Sequence, residues 1–358
     1  MKSRSRGHRR WRAGQLLLAL AALLATAPAA LAHGPVDPAG SRYQARIGHV
    51  PRGVQARVVD GDLRLWMRVD PPITAEVIDY RGAPYLRFGP RGVFVNENSA
   101  MYYVNQIPPV TPPLRLGPRT PQHWVRVSTG HSYLWQDGRL QALAVTVPPA
   151  GSFVGRWSIA MRLNGAPATL SGGLYHRPTP SLVWFWPIVV ALACVLAVVR
   201  LRRPELDRRG ARALAAIALA AFALASIGHQ LHGRPTVTAG QLTVLGLELA
   251  VVAWGVVALV RRRHNWLSLF VVAGLAIWQG IALAPALTDG YVLLALPPAL
   301  GRIAVAGCLA AGAGLLPLVF VMAERSGVAR GRSGRRARGS AEGEPPEPAA
   351  AQVWERTA

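Results

Sequence analysis

The sequence predicts a mixed fold, an extracytoplasmic all-β sandwich followed by an α-helical transmembrane bundle of about five helices. Three observations lead there. Residues from about 41 to 178 alternate apolar and polar over short stretches separated by turn residues, the mark of strands with one buried face. Five apolar runs follow, each near the roughly 20 residues that cross a bilayer. The arginines gather beside every second one of those runs, as cytoplasmic loops of membrane proteins do.

The first 32 residues read as a secretory signal peptide. Lys2, Arg4, Arg6, Arg9, Arg10 and Arg12 precede an apolar stretch from Leu16 to about Ala25, and Ala30-Leu31-Ala32 supplies a small-x-small cleavage site. Cleavage there leaves His33 as the first residue of the mature chain. Its terminal amine and imidazole form a chelate that copper(II) favours, so His33 joins His123 and His131 as candidate metal ligands.

Residues 33–182 form the predicted β domain. Leu63–Val69 alternates most clearly; Ile73–Tyr80, Pro84–Phe88, Val93–Asn96, Met101–Val104, Trp124–Val127, Ser132–Gln136, Leu140–Val147, Trp157–Leu163 and Ala168–Tyr175 are the further strand segments. Asp60-Gly61, Arg81-Gly82, Asp137-Gly138 and Asn164-Gly165 place glycine where a tight hairpin needs positive φ. Pro108–Pro121 breaks the pattern as a long loop. The only cysteines, Cys194 and Cys308, fall in later apolar runs, so this domain must hold together by core packing alone.

The apolar runs lie at about 183–199, 213–231, 241–260, 266–286 and 303–322, within a membrane domain spanning 183–323. Arg200, Arg202, Arg203, Arg208, Arg209 and Arg212 lie between the first two, and Arg261, Arg262 and Arg263 between the third and fourth. A further arginine group follows the fifth. With alternating spans all three groups fall on one side, which the positive-inside rule makes cytoplasmic. Residues 33–182 are then outside, as the signal peptide also requires. Gly307, Ala311 and Gly314 are small residues spaced to let helices approach closely. Residues 324–358 are rich in Arg, Gly, Pro and Glu, a composition expected to stay disordered in the cytoplasm.

Charge narrows the function classes. The formal net charge is +23, yet its placement beside apolar runs points to lipid rather than to nucleic acid. No GxSxG, HExxH, P-loop or dinucleotide fingerprint is present, and no catalytic residue is assigned. Glu248 lies inside the third run and Gln279 in the fourth, while His229, His232 and Arg302 lie toward the outer ends of their runs. Together they form a predicted intramembrane polar cluster, either helix glue or a site for a proton or cation.

A resemblance adds to this reading. Tyr43-Gln44-Ala45-Arg46-Ile47, Asp60-Gly61-Asp62-Leu63, Tyr80–Phe88, Gly92–Asn96, His123–Val127 and Trp135-Gln136-Asp137-Gly138-Arg139-Leu140 together resemble an uncharacterised family of actinobacterial membrane proteins with an N-terminal extracytoplasmic β domain. The resemblance implies a fold and a lineage rather than an activity. Histidines often flank the Trp-x-Asp segment in that family, where this chain has Gln136 and Gln141. The expected role is a multi-pass, non-enzymatic membrane protein whose outer β domain binds a partner or ligand at the cell envelope. The competing expectations are copper handling through His33 and other outer histidines, and a small transporter or sensor using Glu248.

Overall fold

The computed structural model describes residues 37–141, 151–201, 203–260 and 266–341. The predicted signal segment, His33 and the last residues of the tail lie outside this range, as does most of the predicted strand Leu140–Val147. An N-terminal β region is followed by helices, and the contacts divide the chain into two compact units.

The first unit holds the residues up to Ser181 together with Gly228–Leu242 and Ala282–Gly301. Its strands are β1 (Gly40–Ser41), β2 (Tyr43–His49), β3 (Val54–Val59), β4 (Arg64–Val69), β5 (Ala75–Ile78), β6 (Pro84–Gly89), β7 (Gly92–Asn96), β8 (Trp124–Ser128), β9 (Ser132–Gln136), β10 (Phe153–Leu163), β11 (Ala166–His176) and β12 (Tyr291–Val292). One antiparallel sheet runs β2-β11-β10-β5-β6-β7-β8 and a second runs β3-β4-β9. Leu65, Met67 and Val69 from β4 and Trp135 from β9 pack with Val77, Leu86, Phe88, Trp157, Ile159, Met161 and Leu170 of the larger sheet in one core. Two sheets closed over a shared apolar layer make a sandwich.

Local chemistry sets the turns. Asn164 and Gly165 both take positive φ, 49° and 84°, the conformation of a two-residue hairpin whose twist matches its strands, and they join β10 to β11. Gly138 departs from expectation, because it takes no positive φ. The Asp137 side chain instead accepts from Arg139 N and caps a 3-10 turn, Gly138–Leu140. The predicted strand Met101–Val104 is a helix, α1 (Ala100–Val104). Ser99 caps it by accepting from Met101 N, and the buried Asp79 carboxylate accepts from Ser99 Oγ and Ala100 N. These tertiary bonds outweigh the β preference of Tyr102, Tyr103 and Val104.

The helices after the sandwich are α2 (Trp186–Arg200), α3 (Pro204–Gln230), α4 (Ala239–Val260), α5 (Trp266–Ala282), α6 (Pro285–Thr288) and α7 (Pro298–Ala341). Among the described residues four segments are long and apolar enough to cross a membrane: Leu182–Arg200, α3, α4 and Pro298–Glu324. Helix α5, with 17 residues, is shorter. It rises roughly 25 Å against a hydrocarbon core of about 30 Å. The predicted run 266–286 is divided: α5 ends at Ala282, and Pro285, which has no N–H to continue the helical ladder, stands at the first turn of α6.

In the second unit, α3 buries Ala211, Ala215, Ala218 and Leu219, α5 buries Leu269, Val272, Ala273 and Ala276, and α7 buries Ala311, Leu315, Leu318 and Val319. Spacings of three and four residues put each set on one face of its helix. The alanines let the backbones come close. Beyond Glu324 the helix continues through Arg-, Gly- and Ser-rich residues to Ala341, where composition alone predicts no order. Extending an established helix fixes one residue per new hydrogen bond, and Arg and Ala are good helix formers.

Candidate functional site

The outer face of the larger sheet carries a hollow of about 600 Å³. Strand register places its parts. Gly173 on β11 pairs with Arg156 on β10 and with Arg46 on β2. The neighbouring Trp157, Leu174 and Ala45 face the core, so Arg156, Gly173 and Arg46 form a row on the opposite face. The next row holds Phe153 and Tyr175, and Ser158 pairs with Ser171 on the other side.

Two adjacent glycines form the floor. A Cβ on Gly172 would lie 2.4 Å from the Trp157 ring and 2.0 Å from the Arg46 carbonyl oxygen. A Cβ on Gly173 would lie 2.9 Å from the Phe153 ring and 3.3 Å from the Tyr175 ring. Bare backbone therefore lets Trp157 pack beneath while the two outer rings lean over. Those rings meet edge to face, 5.6 Å between centroids, and Phe153 stays half exposed. The Arg46 guanidinium covers the Tyr175 ring at 4.9 Å. A second hollow, of about 860 Å³, is the surface of the single loop Arg115–Pro121.

Charge on this face is one-sided. Strands β2, β10 and β11 contain Arg46, Arg156 and Arg162 and neither aspartate nor glutamate. Arg162 approaches Glu76 on β5 at 4.0 Å. Arg46 bonds to the neutral Gln44 through Nε and Nη2, and Arg156 has no ion pair among the described residues.

The metal candidates are placed differently. His123, largely exposed, holds Nδ1 2.9 Å from Glu97 Oε2, and the Tyr102 hydroxyl donates to Glu97 Oε1. His131 precedes β9 and gives its carbonyl to Val69 N. Among the described residues no group of three or more His, Cys, Asp or Glu side chains is placed to hold a metal ion. The Trp-x-Asp segment is a buried staple: the Asp137 carboxylate accepts from Trp135 Nε1 and from Arg139 Nε and Nη2, while Arg139 Nη1 donates to Ile78 O. Gln136 and Gln141 are exposed beside it.

The predicted intramembrane cluster is distributed over both units. Glu248 is half-buried on α4, Gln279 is buried on α5, and the Arg302 guanidinium lies 5.9 Å from the Trp184 ring. His229 and His232 belong to the first unit, where a set of charges joins them. The buried Arg234 guanidinium lies 2.9 Å from Asp37 Oδ1 and 3.5 Å from Asp60 Oδ1, and it donates to Pro38 O. Arg64 grips the other oxygen of Asp60 and reaches Asp37 at 3.3 Å. His229 Nε2 is 3.4 Å from the Asp37 carbonyl oxygen. Burial and the positive charge of Arg234 lower the His232 pKa, favouring the neutral ring. Nearby, burial pushes Asp62 up to about 6 despite a hydrogen bond from Ser41 Oγ.

Sequence reasoning missed Phe153, Arg156, Gly173 and Tyr175. The available signal was Gly172-Gly173 inside a strand, which marks close approach of another group. No protein-family model, curated protein or solved structure matches the chain.

Proposed function

We propose that the chain is a non-enzymatic, multi-pass membrane protein whose β unit lies outside the membrane and binds a ligand at the cell envelope. It also fits the actinobacterial membrane-protein family that its motifs resemble. The observation that carries the binding reading is the Gly173 hollow, where the half-exposed Phe153 ring and an arginine without an ion pair among the described residues stand over a glycine floor. Orientation rests on the arginine groups beside alternate apolar runs. The non-enzymatic reading is supported by Asp79 and Asp137, whose carboxylates are committed to capping bonds and an arginine fork.

One labelling experiment tests both parts. A Ser158→Cys variant puts a thiol in the hollow, and a membrane-impermeant maleimide is added to intact cells, with the unchanged chain as background for Cys194 and Cys308. Labelling without permeabilisation is the expected result, and labelling only after permeabilisation reverses the orientation. Wall polysaccharide and membrane lipid fractions are then added to the detergent-solubilised full chain. At least one fraction is expected to slow the reaction of the introduced thiol; if none does, the binding reading fails.

A further inference from the structure

We infer that the Gly173 hollow binds an anionic saccharide chain, with Arg156 and Arg46 taking its carboxylate or phosphate groups and the exposed Phe153 ring taking the apolar face of a sugar ring. This rests on the reading of the β unit as an envelope-binding module and names the ligand class of that same site. Four features of the hollow support it.

The first is charge. Three adjacent strands without an acidic residue give a face of one sign, and Arg156 is left without an ion pair among the described residues. Guanidinium groups bind carboxylate and phosphate oxygens through paired N–H donors. The second is position. Arg46 and Arg156 flank Gly173 from the two neighbouring strands. Neighbouring strands lie about 4.8 Å apart, so these Cα atoms stand roughly 10 Å from each other. That span suits one or two sugar residues carrying an anionic group, and exceeds a single small ion.

The third feature is the ring of Phe153. Phe153 keeps half its surface in water although it neighbours the floor of the hollow. A simple phosphate or carboxylate site has no use for an exposed phenyl ring, whereas the C–H faces of a pyranose stack on one. The fourth is hydroxyl chemistry. Ser158 and Ser171 line the opposite side and can each donate and accept, matching the hydroxyls of a sugar. The hollow is shallow and open, as a site along a polymer must be if the chain is to pass through it.

The test uses detergent-solubilised full chain and four probes: oligogalacturonate as a carboxylated saccharide, a phosphorylated mannan fragment, neutral dextran of matched length, and inorganic polyphosphate. Binding is read by calorimetry at two salt concentrations. At least one of the two anionic saccharides is expected to bind, more weakly at the higher salt, with dextran far weaker. Arg156→Ala and Phe153→Ala are each expected to cost about tenfold in Kd, near the contribution of one charge-assisted hydrogen bond or one stacked ring. Both side chains lie on the outer face, so neither change disturbs the core; unchanged circular dichroism of each variant is the control.

Polyphosphate binding equal to the saccharides, with Phe153→Ala silent, overturns the saccharide assignment in favour of a plain anion site. Dextran binding as tightly as the acidic chains overturns the role of the arginines. If no probe binds while an envelope fraction still protects the introduced thiol of the Ser158→Cys variant, this inference fails and the binding module stands. If no probe binds and no fraction protects, both fail.

Discussion

Nη1 of Arg234 stands 3.5 Å from Oδ1 of Asp60, a residue 174 positions earlier in the chain, and both side chains are withdrawn from water. Asp37 and Arg64 complete a balanced set of two acids and two bases. Removing Arg234 takes one of two arginines from the buried Asp60, leaving Arg64 on its other oxygen, which costs about 1–3 kcal/mol, whereas replacing a buried pair together costs less. Arg234→Met is therefore expected to destabilise the first unit, and Asp60→Asn combined with Arg234→Met to recover part of the loss. Hydrogen exchange of the β3 and β4 amides in the full chain reads the effect. Equal protection in Arg234→Met and the unchanged protein refutes the network's role.

Asp137 is fully engaged once Trp135 and Arg139 are bonded, which leaves it poorly placed to ligate a metal. Asp137→Ala is expected to leave Arg139 without its fork and cost about 3–5 kcal/mol. Trp135→Phe loses only the indole donor, about 1 kcal/mol, provided the ring still fills its place in the core. Pulse proteolysis of the full chain ranks the two variants. A larger loss from Trp135→Phe than from Asp137→Ala contradicts the assignment of Asp137 as the hub.

Asp62 links this unit's stability to pH. Its folded pKa, raised to about 6, lies above the ordinary aspartate value of 3.8, so between those values the folded state holds the proton more tightly than the unfolded state. Stability from this group therefore falls as pH rises from about 4 to about 6 and is flat above. Asp62→Asn removes the burial of charge. Relative to the unchanged protein, the variant is expected to gain on the order of 1–3 kcal/mol on moving from pH 4 to pH 8. Amide exchange of β4 at the two pH values, corrected for intrinsic rates, measures that difference. A gain at pH 4 equal to that at pH 8 excludes the assigned shift.

Much of the fold was legible because its signals are local. The alternation in Leu63–Val69, the Asn164-Gly165 hairpin and the apolar runs each depend on neighbours in sequence. What escaped depends on distant partners. The helix at Ala100 is fixed by Asp79, and the pairing of Gly40 and Ser41 with Val292 and Tyr291 joins segments some 250 positions apart, beyond any window of periodicity. His229 and His232 were read with Glu248 and Gln279 because depth along a helix was the only available coordinate. Their charged neighbours, Asp37, Asp60 and Arg234, come from the strand region and a loop. The Gly173 hollow was hidden for the same reason: Arg46 and Arg156 are neighbours only after β2 and β10 both pair with β11.

Two glycines in the second unit carry opposite expectations for one substitution. A Cβ on Gly312 of α7 would lie 2.7 Å from Ile277 Cγ1, 3.1 Å from Ala273 O and 3.2 Å from Ile277 N. Two of those atoms are backbone of α5, so a methyl group there must push the helices apart. Gly274, on α5 itself, has nothing within 4 Å of its Cβ position. Alanine favours helix over glycine by about 1 kcal/mol, and at Gly274 nothing opposes that gain. Gly274→Ala should thus be neutral or raise the melting temperature of the detergent-solubilised protein slightly. Gly312→Ala should lower it, because overpacking costs about 1–3 kcal/mol and disturbs the close contact that Ala273, Ala276 and Ala311 allow. At roughly 2–4 °C per kcal/mol, the scale for a domain of about 150–250 residues, a drop of a few degrees is expected. The two variants share their chemistry and differ only in what the added methyl meets. A rise in melting temperature for Gly312→Ala matching that for Gly274→Ala shows that α5 and α7 are not in close contact there.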